Sequence, residues 1–255
     1  MLQTGLLSVT FRRLLASEVL AWAREAGVQG IEWGGDVHVP HGDVAVAREI
    51  GQRTRDAGLQ VSAYGSYYRA GASEAAGLAF DRVLESALAL GAPTVRIWAG
   101  VTGSNATDAR TRAAVVAEVR RVADLARAAG LRLATEWHGG TLTDTRDSAL
   151  RLLDEVGSPP LTTFWQPRVG DTVEAGLADL QAIGDRLGHV HAFHWWPTPA
   201  DRRPLAEGGT AWRRYLQAIA LVPGDRFVSL EFLPQETQQD LRRDTATLRA
   251  WLAGV

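Results

Sequence analysis

Glycines recur along this chain where one helical pattern gives way to the next β-rich run: Gly27, Gly58, Gly91, Gly130, Gly157, Gly188 and Gly224. The position just past a helix C-terminus takes a left-handed backbone, which favours a residue without a Cβ. Between these glycines the chain reads as a short apolar run followed by an amphipathic segment, eight times over. The runs are Gly5–Phe11, Gly30–Trp33, Leu59–Tyr64, Thr94–Trp98, the start of Leu131–Asp144, Leu161–Gln166, His189–Trp195 and Arg226–Leu233. The spacing predicts helices over Ala16–Ala26, Asp43–Ala57, Ser73–Leu90, Thr107 or Asp108 to Ala129, Thr145–Val156, Thr172–Leu187, Thr210–Leu221 and Thr237–Leu252.

Strand and helix alternating at about 30 residues per unit imply a parallel sheet with helical crossovers. Eight such units in 255 residues match a closed (β/α)₈ barrel, an α/β fold whose active site lies at the C-terminal ends of the strands. A doubly wound open sheet would carry a glycine-rich phosphate turn after the first strand, and TFRRLLAS is not one. No linker or low-complexity segment interrupts the pattern, so a single domain over residues 1–255 is expected.

The composition excludes several chemistries. There is no cysteine, hence no disulfide, thiolate metal site or cysteine nucleophile. There is no lysine either: all 27 basic residues are arginine, which removes Schiff-base mechanisms. A net charge of −2 offers nothing that would attract nucleic acid or an anionic membrane. No apolar run is long enough to span a bilayer, and the start MLQTGLLSVTFRR lacks the pattern of a signal peptide. A cytoplasmic protein is expected by default, and a homo-oligomer is left open.

In such a barrel the strand ends carry function. Four consecutive runs end in groups that bind cations: Glu136, Gln166, His191 and Glu231. Taken singly, each has a plain explanation. Either glutamate could pair with a neighbouring arginine such as Arg96, and His191 could be a hydrogen-bonded core histidine. Converging above one barrel, two carboxylates, an imidazole and an amide oxygen suit one divalent metal ion, Mn²⁺ first, with Mg²⁺, Co²⁺ or Zn²⁺ also compatible. Aromatic residues crowd the same ends. Trp33, Tyr64, Tyr67, Tyr68, Trp98, Trp137, Trp165, Trp195 and Trp196 include six of the nine tryptophans. Such a wall suits the C–H faces of a sugar. Glu32, Trp33, His38, Tyr64, Trp98, His138, Trp165 and Arg203 are the substrate-binding candidates, with His41 and Arg202 as neighbours.

The segments GIEW (Gly30–Trp33), LATEWHGGTLTD (Leu133–Asp144), HVHAFHW (His189–Trp195), RRPLAEGGTAW (Arg202–Trp212) and SLEFL (Ser229–Leu233) resemble the xylose-isomerase-like TIM-barrel superfamily, the sugar phosphate isomerases and epimerases. The resemblance covers essentially the whole chain. It implies a divalent metal held by Glu136, Gln166, His191 and Glu231, with Glu136 and Glu231 flanking the substrate carbon as catalytic acid and base. Two positions depart from the family pattern. Gln166 stands where an aspartate is usual, and Phe193 follows where the strand-seven pattern has lysine. Losing a carboxylate should weaken metal affinity and leave the ion a stronger Lewis acid.

The expected function is therefore a metal-dependent sugar isomerase or epimerase working through a cis-enediolate on a small sugar substrate. No glycine-rich phosphate site is evident, which favours an unphosphorylated polyol or keto-sugar. Two alternatives share the fold: a lyase eliminating a leaving group from a 3-keto-glycoside, and a metal-free sugar-binding barrel. A related DNA-repair endonuclease would need a three-metal cluster with more than the six histidines present, and a basic groove.

Overall fold

The computed structural model describes residues 1–157, 161–168 and 170–255. Eight parallel strands close into a barrel: β1 (Leu2–Leu7), β2 (Gly30–Gly34), β3 (Gln60–Arg69), β4 (Thr94–Trp98), β5 (Arg132–Glu136), β6 (Thr162–Trp165), β7 (Leu187–Ala192) and β8 (Arg226–Leu230). Each neighbours its predecessor in sequence, and β8 pairs with β1 in the register Gly5 opposite Ser229. The crossovers are α1 (Ala16–Ala26), α2 (Val44–Asp56), α3 (Phe80–Leu90), α4 (Ala109–Ala128), α5 (Arg146–Val156), α6 (Val173–Ile183), α7 (Gly209–Ala220) and α8 (Gln238–Leu252). A two-residue antiparallel ribbon, His194–Trp195 with Arg202–Arg203, rises from the loop after β7. No helix among the described residues is long and apolar enough to cross a membrane.

The helices form because apolar positions recur at helical spacing and the ends are capped. In α4, Val115, Val119, Val122 and Ala126 are buried one above another, a single stripe against the barrel. Asp108 caps its start by accepting from the Thr111 amide at 2.7 Å. Six of the seven junction glycines do take positive φ, from 70° at Gly157 to 105° at Gly224. Gly188 does not. Helix α6 stops earlier, at Gly184 (φ 56°), and Gly188 lies inside β7, where a Cβ would meet the Phe164 ring at 2.7 Å.

Two other expected boundaries move. Ser8–Phe11 is a buried 3₁₀ turn and not the end of β1; an unbroken apolar run without alternation does not distinguish the two. Helix α3 begins at Phe80, seven residues later than expected. The Ser73 hydroxyl accepts from the Arg69 amide, and Gly77 at φ 90° breaks any helix before it starts.

The main core fills the space between barrel and helices, while Ala63, Ala134 and Phe164 form a small separate cluster. The α2–α3 contact is close because Gly51 faces the last turn of α3, where a Cβ would fall against the Leu90 carbonyl. Gly51→Ala should therefore destabilise the fold by about 1–3 kcal/mol through overpacking. A urea denaturation midpoint unchanged from wild type would contradict this packing.

Candidate active site

At the C-terminal end of the barrel, Arg96 on β4 is 1% exposed and therefore committed to whatever surrounds it. Its Nε donates to Glu32 Oε1 on β2 at 2.6 Å, and its Nη1 donates to Glu136 Oε2 at the end of β5. Glu32 in turn accepts from His191 Nε2 on β7 at 3.1 Å. Room for this chain of contacts comes from Gly65 on β3, where a Cβ would sit 2.7 Å from both Arg96 Nη2 and Glu32 Oε1.

Glu136 is gripped further. Trp98 Nε1 donates to its Oε2 at 2.5 Å, and Gln166 Nε2 donates to its Oε1 at 3.3 Å and to the Trp137 carbonyl at 3.0 Å. Glu231, just past β8, is placed by its backbone amide, which donates to the Ala192 carbonyl at 3.1 Å. One ligand atom from each of Glu136, His191 and Glu231 lies within 4.8 Å of the others.

The charges are unevenly distributed. Burial alone would raise the Glu32 carboxyl, but Arg96 and His191 outweigh it and hold it down to about 2. Burial opposes ionisation of Glu136 too, yet Arg96 and then His191 keep it well below the ordinary carboxylate range. Burial pushes Glu231 up to about 8 against the pull of His191, with the Glu136 charge acting in the same direction as burial. Burial would lower His191, but Glu32 and Glu136 hold it up to about 10.

Gln166 Oε1 and Glu231 Oε2 are buried without a hydrogen-bond partner, and His191 Nδ1 faces two carboxylates, 3.2 Å from Glu136 Oε1 and 3.7 Å from Glu231 Oε2. An unpaired buried acceptor is costly unless something fills it. These residues are the four expected metal ligands. His191 turns Nε2 to Glu32 and Nδ1 to the space between Glu136 and Glu231, where a cation shared by the three would replace the Nδ1 proton. The residues present therefore fit a divalent cation.

Glu136, Gln166 and Glu231 line a cavity of about 530 Å³, while His191 is fully buried. The cavity walls include Tyr67, Trp98, Trp137, His138, Phe193 and Phe232. Trp98 and His138 stack with ring centroids 4.6 Å apart. Tyr67 and Phe232 hold left-handed backbones, at φ 56° and 51°. In non-glycine residues such strain concentrates at functional sites.

The structure brings Glu136, Gln166, Glu231, Trp98 and His138 to this cavity's walls, with His191 beside Glu136 and Glu231. It places the other candidates elsewhere. Glu32 lies behind His191 as its hydrogen-bond partner. Trp33 is buried toward α2, donating to Thr54 Oγ1 at 3.1 Å. His38 is held by Ser8 Oγ and the Leu14 carbonyl. Tyr64 donates to the Val39 carbonyl at 2.8 Å. Trp165 packs against Trp212 and Tyr215. Arg203 donates to the Trp196 carbonyl and Glu207. Gly65, Arg12, Arg168 and Phe232 were not expected at the site. Arg96, the neighbouring arginine with which either glutamate could pair, does pair with Glu136.

A family model described as "Xylose isomerase-like TIM barrel" matches residues 20–252. The chain belongs to this family. Among solved structures, one similar fold is the probable 3-DHS dehydratase AsbF of Bacillus anthracis, with TM-score 0.79 and 20% identity over 97% of this chain and 98% of that one. A D-psicose 3-epimerase matches with TM-score 0.73 and 16% identity, covering 99% and 100%. The IOLI protein with a bound zinc atom matches with TM-score 0.77 and 14% identity, covering 99% and 98%. Comparison with curated protein sequences gives no match. At these identities the structural likenesses show the fold.

Replacing Arg96 by Met would leave Glu32 and Glu136 buried without their shared cation. Breaking a buried pair from one side costs about 3–5 kcal/mol, so Arg96→Met should lose about that much stability in chemical denaturation. A loss below about 1 kcal/mol would show that the pairing matters little.

Proposed function

We propose that the protein is a divalent-metal-dependent sugar isomerase or epimerase. The observation that carries this reading is the convergence of ligand atoms from buried Glu136, His191 and Glu231 within 4.8 Å of one another, with Gln166 hydrogen-bonded to Glu136, next to an aromatic cavity. The epimerases among the similar folds, named for D-psicose and L-ribulose, support it.

Glu136, Gln166, His191 and Glu231 would hold the ion, Mn²⁺ by preference for a mixed oxygen and nitrogen set. When bound, the ion supplies Lewis acidity toward a substrate carbonyl. The protein's own groups do the rest. Glu32 orients His191 through Nε2. Arg96, Trp98 and Gln166 fix Glu136 as an ionised carboxylate. Glu231 Oε2 takes part in no hydrogen bond and lies 3.7 Å from His191 Nδ1, so this carboxyl can exchange a proton. Together the two carboxylates remove a proton from the carbon beside the carbonyl and return one, general acid–base work worth about 10²–10⁴ in rate. Trp98, Trp137 and His138 give the sugar an aromatic face with polar edges, and Trp137 Nε1 is a buried donor without a partner. The substrate is a small ketose or related polyol, and the protein works in the cytoplasm.

Glu136→Gln and Glu231→Gln should each lower kcat by about 10²–10⁴ with a smaller change in KM. Loss of activity in EDTA, restored by Mn²⁺, is expected alongside. Exchange of substrate hydrogen with D₂O, followed by NMR on a panel of ketoses, reads the proton transfer directly. A kcat near wild type in both variants would remove the two glutamates from the reaction.

A further inference from the structure

Strand β3 ends irregularly. Its pairing with β4 shifts register between Gly65 and Arg69, and Tyr67 stands inside that irregularity with φ 56°. A bulge re-aims a side chain, and bulges are frequent beside active sites. The neighbours on either side are committed to the protein. Ser66 Oγ donates to the Arg96 carbonyl at 2.7 Å, and the Tyr68 hydroxyl donates to the Glu118 carboxylate. Tyr67, between them, lines the same cavity as Glu136 and Glu231. Its ring is held by two neighbours: the Arg96 guanidinium lies 5.3 Å from the ring centroid, and the Trp98 ring 5.2 Å from it.

The Tyr67 hydroxyl is held as well, but only as an acceptor. Arg12 Nη2 donates to it at 3.0 Å, while Arg12 Nη1 donates to Asp36 Oδ2 at 2.6 Å. Arg12 follows the turn after β1 and Asp36 follows β2, so three successive strand ends build this chain. A guanidinium carries donors and no acceptor, so the bond to Arg12 leaves the phenol proton unused. Among the described residues no other hydrogen bond engages this hydroxyl. Tyr64 and Tyr68 differ, since their hydroxyls donate to the Val39 carbonyl and to Glu118. Burial raises the Tyr67 phenol above its ordinary value against the pull of Arg96, so the proton stays on the oxygen at neutral pH. A hydroxyl that accepts from a cation is also a stronger donor.

We propose that Tyr67 binds the substrate: its hydroxyl, held by Arg12, donates a hydrogen bond to an oxygen of the sugar in the cavity. Asp36 fixes Arg12, Arg12 fixes the phenol oxygen, and the phenol proton is left for the ligand. The substrate therefore presents an acceptor oxygen on the β1–β3 side of the cavity, across from the Trp137 and His138 wall. An analogue without that oxygen would leave the donor unpaired and bind more weakly. That the ligand is a sugar rests on the function proposed above; the unused phenol proton does not. Arg12 is a positioning residue, acting through Tyr67.

Calorimetry on the intact protein with Mn²⁺ tests this with three probes: D-fructose, L-ribulose and D-sorbitol, the last a polyol without a carbonyl. Tyr67→Phe keeps the ring and its contacts with Arg96 and Trp98 and deletes only the hydroxyl. It should weaken whichever probes bind wild type by about tenfold. Arg12→Met should weaken them by about threefold in the wild-type background and not at all in the Tyr67→Phe background. A Tyr67→Phe variant that binds as tightly as wild type, or no binding of any probe to wild type, would overturn the proposal. An Arg12→Met loss of equal size in both backgrounds would overturn it too, by placing Arg12 itself on the sugar. Tyr67-dependent binding of D-sorbitol, with no exchange of ketose hydrogen with D₂O by the wild type, would support Tyr67 as a ligand group and count against the isomerase reading.

Discussion

The contact on which the rest of the site depends is the one Arg96 makes with two carboxylates inside the barrel. Strand β4 places a permanent cation where no water reaches it. That cation needs anions, and β2 and β5 supply them as Glu32 and Glu136. Glu32 then has a second oxygen to spare and uses it on His191. One guanidinium thus fixes the ionisation of Glu136, the position of Glu32 and, through Glu32, the orientation of the imidazole. Such a network is worthwhile only when nearly every member is satisfied. Two of its atoms remain without a hydrogen-bond partner, Gln166 Oε1 and Glu231 Oε2, and both residues line the cavity.

The same arrangement explains how the barrel tolerates an amide at Gln166. Arg96 already neutralises part of the charge of Glu136, and Gln166 braces Glu136 through its N–H while leaving its own carbonyl oxygen free. In the proposed metal site the residue would serve as clamp and ligand at once, with its two ends in different roles. A carboxylate there could not donate, and would add like charge beside Glu136 and Glu231, whose carboxyl burial already pushes up.

Much of this was legible in the chain. Helix–glycine–strand junctions at near-regular spacing leave few topologies besides a closed barrel, and strand ends in such a barrel name Glu136, Gln166, His191 and Glu231 together. What the spacing left open was which way each aromatic faces. Trp33 is adjacent to Glu32, and Trp165 lies between Phe164 and Gln166, so alternation along a strand sends each to the opposite face from its neighbours. Their place in the helix-facing core follows from that. Trp137 escapes the rule because β5 has ended at Glu136. Gly65 was unreadable for another reason: its function is the volume it does not occupy, and that depends on Glu32 and Arg96 arriving from two other strands.

The central claim is that a cation belongs among Glu136, Gln166, His191 and Glu231. Anomalous diffraction from crystals soaked in Mn²⁺ tests it most directly. The account predicts one strong anomalous peak at coordination distance from Glu136, Gln166 Oε1, His191 Nδ1 and Glu231. A fully soaked crystal with no peak there, or with its only peak outside these four residues, would contradict it.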